Sequence, residues 1–266
     1  MTLEICVDDI AGLDAAITGG ADRIELCAAL ALGGLTPSPA LIAAARVAPI
    51  PVHMLVRPRE GGFQYSARET AMIAADITAA ADAGLAGIVI GANRADHTLD
   101  AERLAGLIAH AHALATARTA PLSITLHRAI DLCVDLPAAL DTAIALGFDR
   151  VLTSGGEPKA IDGAPMLATL HRRAAGRIEI LAGSGIDAGN VAAILATGVD
   201  EVHASCGAVT TDGDDSDGGG DGGSGGGGDG ARERRFGFSA PGRRHTDASR
   251  VRCLQVAIRH ATGQRA

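Results

Sequence analysis

The sequence predicts an α/β protein of the (β/α)8 TIM-barrel type, on three observations. Short apolar runs alternate with Ala-rich helical stretches, eight of each. The length of 266 residues suits a barrel of roughly 250. The first apolar run ends in Val7-Asp8-Asp9-Ile10, without the glycine fingerprint that opens an open, doubly wound nucleotide fold.

The strand candidates are Leu3–Val7, Asp22–Cys27, Val52–Arg57, Gly87–Gly91, Leu122–His127, Arg150–Thr153, Arg177–Ala182 and Glu201–Ala204. Helices are expected near 9–19, 38–47, 66–83, 100–117, 137–146, 164–174, 187–197 and 247–261. Asp8/Asp9, Ser38-Pro39, Ser66 with Glu69, and Asp187 are start signals, because short polar side chains cap free amides and proline fits the first turn. Gly84, Gly147 and Gly198 are stop signals. In the last helix Val251, Leu254 and Ile258 share one face.

One segment breaks the rhythm. Thr211–Gly230 is almost all Gly, Asp and Ser, and an Arg-rich stretch follows to Arg244. With almost nothing apolar to bury, 211–244 is expected to be a disordered, solvated insertion within a single domain spanning 1–266. Its Asp residues lack the ligand order and closing Glu of a calcium loop.

Composition narrows the function. The net charge is −8 and aromatics are 2%, against a nucleic-acid partner, which needs a basic face or stacking rings. No apolar run is long enough to cross a membrane, and the first residues lack a basic leader. A cytoplasmic protein is expected. Five cysteines in such a chain point to free thiols rather than a disulfide framework.

Alternation along strands assigns faces. The apolar sets Leu3/Ile5/Val7, Ile24/Leu26, Met54/Val56, Ile124/Leu126 and Val202/Ala204 must meet the helices. The barrel interior then receives Glu4, Cys6, Arg23, Glu25, Cys27, His53, Arg57, His127, Glu201 and His203. Glu4, Arg23, Glu25 and Glu201, low in the barrel, are expected to neutralise one another in part, since unpaired buried ions are costly. Cys6, Cys27, Arg57, His127 and His203 lie near the C-terminal strand ends, where barrel enzymes act. His127 and His203 are the acid/base candidates. The turns Ser154-Gly155-Gly156 and Gly183-Ser184-Gly185 follow the sixth and seventh strands. With Arg57 they are candidates to hold a small anion through backbone N–H groups. Lys159, the single lysine, lies in a loop rather than at an inward strand end, which disfavours Schiff-base chemistry.

Cys6 and Cys27 end adjacent strands, close enough in principle to hold a soft metal such as Cu(I). Cys206 is a further candidate of opposite parity to His203, whereas Cys133 and Cys253 are expected to be inert. No CxxC or HExxH pattern supports zinc.

Several motifs in order resemble the CutC family. These are Leu3-Glu4-Ile5-Cys6-Val7, Gly20-Ala21-Asp22-Arg23-Ile24-Glu25-Leu26-Cys27, Gly33-Gly34-Leu35-Thr36-Pro37-Ser38, Val56-Arg57-Pro58-Arg59, Leu126-His127-Arg128-Ala129, Leu152-Thr153-Ser154-Gly155-Gly156 and Glu201-Val202-His203-Ala204-Ser205. The resemblance covers nearly 1–210 and extends to 245–262, with 211–244 as a departure. It implies a (β/α)8-type barrel, a cytosolic location and copper binding, with Cys6 and Cys27 standing where the family motifs place Cu(I) ligands. Three functions stay open: copper handling through Cys6 and Cys27, an enzyme of unassigned reaction on a small phosphorylated or carboxylated metabolite, and a non-catalytic ligand sensor. A homo-oligomer is also open.

Overall fold

The computed structural model describes residues 1–115, 121–209, 235–236 and 244–263. Eight parallel strands close into a barrel: β1 (Thr2–Val7), β2 (Arg23–Leu26), β3 (Val52–Leu55), β4 (Gly87–Ile90), β5 (Ser123–Leu126), β6 (Arg150–Thr153), β7 (Glu179–Gly183) and β8 (Glu201–Ala204). β8 pairs back onto β1, setting Glu4 opposite His203. On the other side β1 pairs with β2, setting Cys6 opposite Glu25.

The strand faces divide as the alternation predicts. Leu3, Ile5, Val7, Ile24, Leu26, Met54, Ile88, Ile90, Ile124, Leu126, Ile180 and Val202 join one core between barrel and helices. Inside the barrel, Glu4, Arg23, Glu25, His53, Thr125, His127, Glu201 and His203 are buried.

Helices α1 (Ile10–Gly19), α2 (Pro39–Ala45), α3 (Ala67–Asp82), α4 (Ala101–Ala115), α5 (Leu136–Leu146), α6 (Ala164–Ala174), α7 (Val191–Leu195) and α8 (Ala248–Ala261) follow in order. The start signals other than Asp187 act through their side chains, as does Asp247. Asp9 caps the Gly12 amide of α1, and Ser38 caps Leu41 ahead of Pro39. Ser66 and Glu69 form a reciprocal capping box on α3, and Asp247 caps Arg250 on α8. Helix α3 buries Ile73, Ile77, Ala80 and Ala81, and each large side chain so buried contributes roughly 1.5–3 kcal/mol.

The structure adds a 3-10 turn at Leu30–Leu32 and departs from the expected elements in three further places. Helix α7 begins at Val191 rather than near 187, because Asp187 Oδ1 accepts from the Gly189 and Asn190 amides and holds 187–190 as a turn. A short antiparallel pair was not anticipated: β9 (Gly207–Val209) with β10 (Arg244–Thr246). Arg244, placed in the insertion by composition, is therefore a strand residue opposite Val209. Apart from Arg235, Phe236 and Arg244, the expected insertion lies outside the described residues. Third, Arg128–Leu132 forms a 3-10 turn after β5, which positions Asp131.

Candidate functional site

The lower interior of the barrel is an ion network. Arg23 bridges Glu4, at 2.5 Å, and Glu201. Arg150 adds contacts of 3.2 Å to Glu201 and 3.4 Å to Glu179. Burial opposes the charge on Glu4, but Arg23 and His203 overcome it and hold the Glu4 carboxyl well below the usual carboxylate range. Three of the four residues expected in this network are there. Glu25 sits higher, with the thiols and His203.

His203 connects the two levels. Its Nδ1 lies 2.8 Å from Glu4 Oε1 and its Nε2 lies 3.8 Å from Glu25 Oε2. Burial would lower its pKa, but the Cys6 sulphur, the Glu25 carboxylate and the Glu4 hydrogen bond push it well above the ordinary histidine value. Glu25 is pushed up, first by burial and then by the Glu4 charge.

Cys6, Glu25 and His203 each bring a donor atom to one spot, all within 4.8 Å of one another. The strand register explains this, because Cys6 pairs with Glu25 while His203 pairs with Glu4, two residues lower on β1. Cys27 stands one inward position above Glu25. Its thiol donates to Glu25 Oε2 at 3.4 Å, and it packs with Cys6, Leu55 and Val89. Burial, the Glu25 charge and Cys6 push the Cys27 thiol well up. Cys206 and Cys133 are raised by burial to about 12 and about 11.

A second group lies on β3, β4 and β5. The Arg57 guanidinium donates to the carbonyls of Leu32, Gly34 and Gly61 at 2.8–3.0 Å. The His127 ring packs against Phe63, with centroids 4.7 Å apart, and the Arg57 guanidinium lies 5.2 Å from the same Phe63 ring. Burial, then the Arg57 charge, pushes His127 down to about 3. Asn93 ties the two loops together, taking Phe63 O with its amide and Ala129 O with its side chain.

The turn after β6 holds an anion already, the chain's own. Asp131 accepts from the Ser154 and Gly156 amides at 3.1 Å each and from the Thr153 hydroxyl at 2.5 Å. Gly155 donates to Thr153 Oγ1, and the Ser154 hydroxyl receives Arg128 Nη2 at 2.7 Å. Sequence reasoning missed Asp131; its signal was a carboxylate four residues after the strand-end His127. The turn after β7 is shaped by space. A Cβ at Gly183 would lie 2.6 Å from Leu152 and 3.3 Å from His203, and Gly185 has φ +68° beside the Lys159 side chain.

The CutC family matches residues 1–208. The chain belongs to the CutC family. A CutC family protein of Sinorhizobium medicae is 44% identical over 257 residues, covering 96% of this chain and 95% of the relative. One from Caulobacter vibrioides is 50% identical over 206 residues, covering 77% and 81%. The crystal structure of a CutC protein from Streptococcus agalactiae, which carries a copper-homeostasis name, aligns with a TM-score of 0.70 at 31% identity, over 77% of this chain and 98% of that one. A KDPGal structure aligns with a TM-score of 0.56 at 14% identity and shares the fold alone. Among the described residues no helix is long and apolar enough to cross a membrane.

Proposed function

We propose that this CutC-family chain handles copper in the cytoplasm, taking Cu(I) as cargo at the barrel mouth through Cys6 and Cys27. The carrying observation is the convergence of Cys6 Sγ, a His203 ring nitrogen and a Glu25 oxygen within 4.8 Å. The donor set fits a soft ion, since thiolate and imidazole suit copper. Glu4 engages His203 Nδ1 and so directs Nε2 to the thiol side. A carboxylate behind a metal-binding histidine is the usual supporting arrangement. Cys6 anchors the ion, Cys27 supplies the second sulphur, His203 the nitrogen, and Glu25 a neighbouring charge.

The test is Cu(I) titration against a competing chelator. Wild type is expected to take about one equivalent. Cys6→Ser, Cys27→Ser and His203→Gln each lose most of the affinity. Binding unchanged in all three variants contradicts the assignment.

A second reading is favoured by the same His203, which bonds Glu4 and stands within 4.8 Å of Cys6 Sγ, an order of thiol, imidazole and carboxylate that suits a nucleophile, base and orienting group. It makes the chain an enzyme on a small phosphorylated or carboxylated metabolite. His203 and His127 serve as acid/base groups and Arg57 as the anion partner, while Ser154, Gly155, Gly156, Gly183 and Gly185 shape the rim. Release of product from a panel of phosphate esters and hydroxy acids, abolished by His203→Gln, is the expected result. No turnover across the panel contradicts it.

A further inference from the structure

Arg57 is 6% exposed, yet its described hydrogen bonds run to three carbonyls and to no carboxylate. Among the described residues its Nε has no partner. A buried guanidinium without a counter-charge is costly in a site of low polarity. Arg23, by contrast, is equally buried and is matched by two carboxylates.

The neighbouring strand-end residue has a matching deficit. His127 is 5% exposed and its Nδ1 accepts from the Ala129 amide at 3.1 Å. The hydrogen of the neutral ring therefore sits on Nε2, and among the described residues Nε2 also lacks a partner. Two buried donors, one of them charged, thus stand unsatisfied at the C-terminal ends of β3 and β5. Between them β4 ends in Gly91, where a Cβ would lie 2.4 Å from His127 Cε1. The glycine lets the imidazole lie across β4 toward Arg57. Phe63 packs against both from a loop whose neighbours Gly61, Gly62 and Gln64 are exposed.

We propose that Arg57 and His127 form a subsite for one anionic group, a carboxylate or phosphate of a small molecule, entering at the mouth beside Phe63. The subsite is separate from the Cys6, Glu25 and His203 donors on β1, β2 and β8. The inference rests on the second reading above and fixes where its anion sits. Binding alone tests it, so absence of turnover leaves it standing while failing that reading.

The experiment is calorimetric titration of the full chain with inorganic phosphate and, separately, with acetate, which tells the two sources apart. Saturable binding of one of them at millimolar concentration is expected. His127→Ala weakens it roughly tenfold, and Arg57→Gln at least as much, as loss of a charge-assisted contact implies. Arg172→Gln, on the exposed face of α6, leaves it unchanged. Should Arg57→Gln fail to fold, His127→Ala decides, because its removal leaves the three carbonyl contacts of Arg57 intact. No saturable binding of either probe overturns the proposal, as does undiminished binding in His127→Ala.

Discussion

Glu4 Oε1 and His203 Nδ1 are 2.8 Å apart although their residues are 199 positions apart in the chain. The closing pair of strands, β1 and β8, sets them in register. Glu4 also takes Arg23, so one carboxylate neutralises a guanidinium and orients an imidazole. Replacing it leaves both groups buried with less compensation. Glu4→Gln is expected to destabilise the chain by about 3 kcal/mol, the range for breaking a buried pair. Urea unfolding measures this, and a change close to zero contradicts the network.

Acid should destabilise the fold while most carboxylates are still ionised. Burial holds both His53 and His127 down at about 3, against 6.5 for an ordinary histidine. The unfolded chain therefore takes up protons below about pH 6.5 that the folded chain refuses, so stability falls as pH falls through that window. Between pH 7 and 5 each contributes a loss of roughly 2 kcal/mol. His203 and Glu25 run the other way: both are held above their ordinary values, so each gives stability that is present at low pH and lost as pH rises, which offsets part of the loss. Unfolding free energies at the two pH values check the sign; equal or greater stability at pH 5 contradicts it.

Gly91 is required for space rather than for backbone angle. Gly91→Ala puts a methyl 2.4 Å from His127 Cε1 and 2.5 Å from Nδ1. The ring must move, at about 1–3 kcal/mol for such overpacking. A lower melting temperature together with a shifted His127 ring resonance is expected. An unshifted resonance contradicts the close approach.

Asp131 can be tested by substitution and rescue. Asp131→Ala empties a carboxylate that the Ser154 and Gly156 amides, the Thr153 hydroxyl and Arg128 all address. Stranding those donors costs about 2 kcal/mol. Formate is expected to raise the melting temperature of the variant more than that of wild type, by refilling the turn. An equal response in both proteins counts against the turn as an anion cradle.

The strand faces were legible in the sequence because a parallel barrel enforces a period of two against a helical shell. That rule alone brings Glu4, Glu25, His127 and His203 inside. Helix starts were legible where one side chain does the capping, as at Ser66 and Asp247. What alternation cannot supply is height along the barrel, which the stagger between strands decides. Hence Cys6 and Cys27 read as level neighbours, whereas Cys6 lies opposite Glu25 and Cys27 stands a step above. The glycine turn after β6 read as open to a ligand. Its occupant, Asp131, comes from the loop after β5, a contact between segments that no local pattern encodes. Strand β10 escaped notice because Arg244-His245-Thr246 has no apolar alternation and pairs in a two-stranded sheet outside the barrel.

A site that holds Cu(I) by sulphur and by His203 together has a distinct spectroscopic signature. X-ray absorption at the copper edge of the Cu(I)-loaded chain tests for it most directly. A first shell containing both sulphur and nitrogen is expected, with the nitrogen lost in His203→Gln and sulphur reduced in Cys6→Ser. A shell of nitrogen and oxygen alone, or one unaltered by both substitutions, contradicts it.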